Sequence, residues 1–359
     1  MGTIDRSEHL ENRKEYLSKF KKKFRLEQLS NNLDSLKNIQ VLCIGDAVID
    51  RYVFVNPKGR ALKDPILSTR FESEENYTGG VLAVANHLSS YVNRIDLVTL
   101  IGDKNPQTEF IRHSLSKNVK PKLFVKPNSP TTLKMRYLDR YRGNKLFKVE
   151  DMNDDPISQS LSSEIMAYLS KELPNYGLVL LLDYDHGFLN DEIRKLIQEK
   201  SKSLSLNCQV NSANMGYSYV DRYKRADFIT MNDAEIRLPM RMQFEDIEKV
   251  IDKFYEKLKY PKFLVTTGKI GCTFFDDGKK YSSPTLTDKV VDTVGAGDSV
   301  FAITSLFVYS GFNDERVPFI ANCVGGIDAN ILGNKEFVDR QKLLTFIKNL
   351  YDGVGNGMG

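Results

Sequence analysis

Asp292-Thr-Val-Gly-Ala-Gly-Asp298 runs straight into Ser299-Val-Phe-Ala-Ile-Thr-Ser-Leu-Phe-Val308, an apolar run long enough for a buried helix. Gly295 and Gly297 lack a Cβ, so the backbone can bend tightly there and a ligand can approach its amides. A helix starting at about Ala296 leaves its first N–H groups without intrahelical partners, aimed back at the bend. Together with the helix dipole, the amides of Gly295, Ala296 and Gly297 would form an anion hole. Asp298, in the first turn, would then stand beside any anion held there. A carboxylate next to a phosphate is suited to take the proton of a hydroxyl attacking that phosphate. The same seven residues also read as a glycine turn capping a core helix, with Asp298 as an ordinary first-turn charge.

Working outward, the second half alternates helix and strand. Helical patterns over 157–172, 189–202 and 244–258 separate short apolar runs at Gly177–Asp183, Leu206–Val210, Asp227–Met231 and Phe263–Gly268, with a short helix near Tyr219. Strands this apolar, spaced by amphipathic helices, imply an α/β fold: a mostly parallel sheet with helices on both faces. In the first half, Val41-Leu-Cys-Ile44 ends at Gly45-Asp46 and Ile95–Ile101 ends at Gly102-Asp103. Asp46 therefore falls at the carboxyl edge of the sheet, where open α/β folds bind ligands, although a turn-capping role fits it equally. Gly79-Gly80 precede a second apolar helix start, Val81–Asn86.

Residues 52–77 are short, alternating and turn-rich, and 131–150 form a hairpin around Arg142-Gly143-Asn144. These two segments make a small β-sheet outside the main layer. Lys134, Arg136, Arg140 and Arg142 gather on it, as they would on a lid over an anionic substrate or on a plain solvated hairpin. Residues 1–38 read as an N-terminal helical extension, with Leu10, Leu17, Phe20, Phe24, Leu33 and Leu36 at helical intervals and Lys21-Lys-Lys23 on the surface. Such a segment packs on the body, or serves as a partner- or membrane-docking arm. The main domain spans 39–350, and 351–359, with four glycines, read as a flexible tail.

Composition excludes several classes. The 51 basic and 47 acidic residues leave a net charge of +4, which is no nucleic-acid footprint. Four cysteines and four histidines are dispersed, which predicts reduced thiols and no disulfide frame or His/Cys metal site. No apolar run approaches the roughly 18 residues of a membrane span. The expectation is a cytoplasmic protein with no membrane or nucleic-acid partner.

Polar groups collect at the other strand ends. Asn232 and Glu235 follow one strand at a spacing that puts both on one face of a helical turn. Glu235 could hold a hydrated Mg²⁺ through water, or the pair could be a capping box. Thr267-Gly268 and Gly271 follow the next strand, as a loop near a nucleotide or a plain hairpin turn. Asn322 lies in a helix of small residues where a flat ring could fit. There is no G-x-x-x-x-G-K-[ST] loop, and no G-x-G-x-x-G after the strand ending at Ile44.

In this order the pieces resemble the ribokinase-like carbohydrate kinases over roughly residues 39–349. Within that family they are most like the bacterial D-glycero-D-manno-heptose 7-phosphate kinases, the kinase half of ADP-heptose synthases. The residues that carry this are Gly45–Tyr52, Gly79-Gly80, Lys134–Arg136, Asp183-Tyr184 with Gly187, Asn232 and Glu235, Thr267-Gly268 with Gly271, Asp292–Asp298, and Ala321-Asn322 through Gly333. The resemblance implies a ribokinase-like fold with a β-lid, ATP and Mg²⁺ as cofactors, and a homodimer formed through the lid. It implies that Asp298 is the base and Gly295–Gly297 the anion hole, with Asn232 and Glu235 in the Mg²⁺ or phosphate network. Thr267, Gly268, Gly271 and Asn322 would line the nucleotide site. Asp46, Gly79, Gly80, Lys134, Arg136 and Asp183 would meet the acceptor.

Departures fall on the acceptor side. Gly-Gly-Ala-Ala-Asn has Ala83 at the Asn position, Asp-Tyr-x-Lys-Gly has His186 for Lys, and Asp-Pro-Lys is replaced by Asn211-Ser-Ala213. Losing an amide and two lysines changes which phosphorylated sugar is held, since lysine binds phosphate as a point charge. The expected activity is ATP-dependent phosphorylation of a sugar or sugar phosphate, most like a heptose phosphate. The alternatives are a kinase for an unphosphorylated sugar or nucleoside, and a non-catalytic binding member acting through partners.

Overall fold

The computed structural model describes residues 6–212 and 214–353; Ala213 and most of the expected tail, 354–359, lie outside the described residues, as do the first five. Helices α1 (Arg6–Lys23) and α2 (Leu26–Asp34) come first. The apolar positions of this leader face inward: Leu29, Leu33 and Leu36 are buried, and the Phe20 ring stacks on Phe319 with centroids 3.9 Å apart. Arg13 pairs with Asp288 at 2.8 Å and Lys23 with Glu315 at 2.7 Å. Of the two readings of this segment, packing on the body is the one observed.

Then follow β1 (Gln40–Gly45), β2 (Ala47–Arg60), β3 (Leu67–Gly80), α3 (Val81–Leu88), β4 (Arg94–Lys104), α4 (Thr108–Ser114), β5 (Val119–Pro130), β6 (Leu133–Asp139) and β7 (Lys145–Asp151). The second half runs α5 (Gln159–Glu172), β8 (Leu178–Asp183), α6 (Asp191–Lys200), β9 (Leu204–Cys208), β10 (Phe228–Asn232), α7 (Asp233–Met240), α8 (Ile247–Leu258), β11 (Lys262–Thr266), β12 (Gly271–Asp276), β13 (Lys279–Pro284), α9 (Ala296–Tyr309), α10 (Arg316–Asp328) and α11 (Arg340–Asp352). The main sheet has nine strands in the order β13-β12-β11-β10-β9-β8-β1-β4-β5, and a separate four-stranded sheet has the order β3-β2-β6-β7. In the large sheet β12 runs against both of its neighbours, β11 and β13, while the other pairings among the described residues are parallel.

The near-continuous apolar strands are explained by burial on both faces. Along β1, Val41 and Cys43 join the core under α3, α9 and α10, while Leu42 and Ile44 join the core under α5, α6 and α8. Two expectations need correction. The 52–77 segment forms two 14-residue strands, longer than expected and reaching back to Ala47 and forward to Gly80. Pro57 and Gly59 interrupt the alternation in sequence, and the pairing absorbs them with register shifts at Phe54/Val55 and Pro57/Gly59. The strand expected at 206–210 lies two residues earlier, because the Val210 amide leaves the ladder to donate to Glu235 Oε1 at 3.3 Å.

Candidate active site

The glycine bend has the geometry its sequence calls for. Gly295 caps α9 at φ +96°, and a Cβ there would come within 2.1 Å of Asn334 Oδ1. Around Gly297, no atom stands within 4 Å of where a Cβ would be, so the first turn of α9 is open on that side. Asp292 fastens the bend to the lid. Its Oδ1 accepts from Lys145 Nζ at 2.5 Å and Val294 N at 3.1 Å, and its Oδ2 from Tyr52 Oη at 2.9 Å and Gly333 N at 3.2 Å.

Asp298 is buried at the head of α9, 6% exposed, and burial pushes its carboxyl up to about 7. Its Oδ1 accepts a hydrogen bond from Tyr184 Oη at 2.5 Å. The main chain of the same tyrosine donates to Asp46 Oδ2 at 2.9 Å. Asp46 is itself pushed up to about 7, by burial first and then by the neighbouring Asp183. It lines a small cavity with Lys126, Thr131, Asn153 and His186. Burial likewise pushes the His186 imidazole down to about 3, so the ring is neutral. Gly79 and Gly80 fit closely here: a Cβ on Gly79 would meet Asp50 Oδ2 at 2.4 Å, and one on Gly80, at φ +57°, would meet the Asp46 carbonyl at 2.4 Å.

The lid cations stand on the same side. Arg136 pairs with Asp50, and Lys134 lies 3.7 Å from Glu150, which Lys148 also contacts at 2.9 Å. Ala83 is buried inside α3. Asp183 does not join them. It is 0% exposed, with Oδ2 taken by Arg222 at 2.5 Å and by the Tyr223 hydroxyl. An acid this buried is stable only when paired, and Arg222 and Tyr223 supply that pairing for Asp183.

On the nucleotide side, Asn232 and Glu235 form a capping box: Glu235 N donates to Asn232 Oδ1 at 2.9 Å, and Asn232 N donates to Glu235 Oε2 at 2.8 Å. Burial raises Glu235 to about 7. Among the described residues, no three His, Cys, Asp or Glu side chains are grouped to hold a metal ion. A hydrated Mg²⁺ carried on nucleotide phosphates needs few protein ligands, and Glu235, whose oxygens accept from Val210 N and Asn232 N, is the carboxylate that would reach it through water. The Thr267–Gly271 loop is a hairpin turn between antiparallel β11 and β12, closed by Thr267 N to the Gly271 carbonyl at 2.9 Å. Gly268, at φ +58°, has open space where a Cβ would be, whereas Gly271 is packed against the Ser283 carbonyl. Asn322 Nδ2 is tied to the Ser283 carbonyl at 2.9 Å.

Sequence reasoning missed Tyr184 as a contact of Asp298, and Lys145 and Tyr52 as holders of Asp292. It also missed the exposed apolar side chains Ile270, Val290 and Val291 on the two loops. Two adjacent valines left in water directly before the bend are a signal that could have been read.

Residues 38–308 match the family described as pfkB family carbohydrate kinase. The chain is 27% identical over 305 residues to the bifunctional protein HldE of Vibrio parahaemolyticus, covering 82% of this chain and 60% of that protein. HldE of Haemophilus influenzae is 27% identical over 301 residues, covering 83% and 61%. The chain thus spans about three-fifths of the length of these relatives. The structure of Arabidopsis thaliana ribokinase complexed with ribose and ATP is similar, with a TM-score of 0.64 and 20% identity over 87% of this chain and 99% of that one. Escherichia coli phosphofructokinase-2 in complex with potassium gives a TM-score of 0.69 and 13% identity over 88% and 99%. The fold is ribokinase-like, and the chain belongs to the pfkB family of carbohydrate kinases.

Proposed function

We propose that this sugar kinase transfers the γ-phosphoryl group of ATP to a hydroxyl of a sugar or sugar phosphate, with a heptose-phosphate-like acceptor preferred. The observation that carries the reading is a single buried carboxylate, Asp298, in the first turn of a helix whose glycine entrance is open. Asp298 takes the acceptor hydroxyl proton, and the oxygen attacks the phosphorus in line. The amides of Gly295, Ala296 and Gly297 stabilise the charge that develops on the phosphoryl oxygens. Mg²⁺, when bound, screens the phosphate oxygens, and Asn232 and Glu235 position its water shell. Thr267, Gly268 and Asn322 border the nucleotide, and Asp46 accepts from acceptor hydroxyls beneath the lid.

The phosphorylated acceptor is supported by Lys134 and Arg136 on β6 and by the HldE likeness. A second reading, an unphosphorylated acceptor, is favoured by the carboxylates already beside those two cations. The test is ADP formation across a panel of sugars and sugar phosphates, with products identified by mass. Turnover of heptose 7-phosphate with a rise in its KM in Lys134→Met and Arg136→Met supports the first reading. Turnover of neutral sugars alone supports the second. Ligand-induced rises in melting temperature without any turnover would replace both with a binding protein. We further propose a cytoplasmic homodimer joined through the lid, whose exposed Phe71 (59%) and Phe147 (48%) need covering; sedimentation of Phe71→Asp tests the dimer.

A further inference from the structure

Tyr184 stands at the carboxyl end of β8 and touches both halves of the site. Its hydroxyl donates to Asp298 Oδ1 at 2.5 Å and its main-chain N–H to Asp46 Oδ2 at 2.9 Å. Its carbonyl accepts from Asn211 Nδ2 at 2.9 Å and Asn214 Nδ2 at 3.1 Å. Lys134 Nζ lies 5.6 Å above its ring. The side chain is buried, so this geometry is held by packing and not by solvent. We infer that Tyr184 is a positioning residue for the base: its hydroxyl fixes Asp298 through Oδ1, leaving Oδ2 for the acceptor proton, and couples the base to the sugar-binding Asp46. This rests on the assignment of Asp298 as base.

The chemistry is consistent on both partners. Burial and the neighbouring Asp298 raise the Tyr184 hydroxyl well above its ordinary value, so it stays a donor throughout the working pH range. The proton leaving the acceptor goes to Asp298 Oδ2, and Tyr184 keeps its own. The hydrogen bond favours the carboxylate form, against burial, which favours the acid. The other charged groups facing Asp298 are Asp50 on β2, Lys134 on β6, Glu235 on α7 and Asp328 on α10. None of them lies on the strand that carries Tyr184, so removing its hydroxyl leaves their charges in place.

The test is the pH dependence of kcat/KM for the acceptor at saturating ATP, which reports groups of the free enzyme. Tyr184→Phe removes the donor and keeps the ring. Its acid limb should move up by about one pH unit, so that the loss approaches about tenfold on the acid side and shrinks as pH rises. A loss that is even across pH, or an unmoved limb, overturns the inference. Incorporating 3-fluorotyrosine at position 184 strengthens the donor and should move the limb the other way; no movement overturns it too. Asp298→Asn separates the two claims. If that variant keeps turnover, the base assignment fails and this inference with it. If it is dead while both Tyr184 replacements leave the limb unmoved, only the role of Tyr184 fails.

Discussion

The two ends of the site are built from different material. At the end proposed to hold the phosphoryl group the surface is backbone: Gly295 at φ +96°, Gly297 and Gly268 with nothing within 4 Å of a Cβ position among the described residues. At the acceptor end it is side chains that already hold one another, Arg136 with Asp50, Lys134 and Lys148 with Glu150, Tyr184 with Asp298. The first end is a preformed mould that pays little to receive a phosphate. At the second, an acceptor bound as proposed would compete with the pairs of Arg136 and Lys134 while Tyr184 stays on Asp298, so discrimination would be the difference between pairs lost and pairs gained. Nucleotide binding should therefore tolerate side-chain changes that reset acceptor choice.

The harshest way to break that contrast is Asp298→Asn, at the proposed base between the two ends. Loss of a general base is expected to lower kcat about 10²- to 10⁴-fold. Thermal stability should hold or rise above about pH 7, because the buried acid there ionises at about 7 and the amide carries no charge to desolvate. Normal turnover in this variant would remove the base. The two glycines of the bend should then part company. Gly295→Ala puts a methyl against Asn334 in a left-handed conformation and should destabilise by about 1–3 kcal/mol. Gly297→Ala meets no protein atom, so it should melt like wild type and raise the KM for ATP, since the methyl occupies space left to ligand. Equal melting losses in the two variants would sink the picture of an open mould.

The same division explains what the sequence made legible. A glycine bend, a capped helix and strands ending in Gly-Asp are local, so the bend ahead of α9, the strand end at Asp46 and a mostly parallel sheet covered on both faces could be read from neighbours in the chain, while the strand order could not. Asp183 looked like Asp46, an acid at a strand end. Only the fold brings Arg222 and Tyr223 against it, from about forty positions away. Tyr184 on Asp298 and Lys145 on Asp292 are separated by more than a hundred residues, and nothing in their local sequence marks the pairing. The lid strands were underestimated because Pro57 and Gly59 look like breaks, while the partner strand accommodates them by shifting register.

A smaller effect follows from the charges buried around the bend. Asp46, Glu235 and Asp298 are raised to about 7 and Asp328 to about 8, in each case mainly by burial. A carboxyl whose folded value is raised stabilises fully below its unfolded value and loses that contribution as pH climbs through the folded value. His87 and His186, pushed down to about 3, favour folding as pH rises, but that gain is complete by about pH 6.5. The ligand-free protein should therefore melt at progressively lower temperature between about pH 6.5 and 8.5. Asp328 is buried with its carboxyl raised mainly by desolvation, so Asp328→Asn should flatten that slope by on the order of 1 kcal/mol. A melting temperature that rises over this interval would contradict the burial of these acids.

The mildest change sharpens the contrast at Asn211, where the chain departs from the heptose kinase pattern, and at Asn214 beside that segment. Asn211 and Asn214 both donate to the Tyr184 carbonyl, so under the proposed roles their loop would act on the acceptor through the tyrosine. Asn211→Ala leaves the Asn214 amide on Tyr184 but removes both the Asn211 donation to the Tyr184 carbonyl and its acceptance from Asn214 N at 3.2 Å, and should raise the acceptor KM by roughly three- to tenfold. The KM for ATP should not move, because no backbone of the glycine bend is disturbed. Steady-state kinetics on both substrates checks this. If Asn211→Ala instead changes which acceptor is phosphorylated, the loop touches the sugar directly, and acceptor choice is then set by Asn211 itself and not by the framework that holds Tyr184.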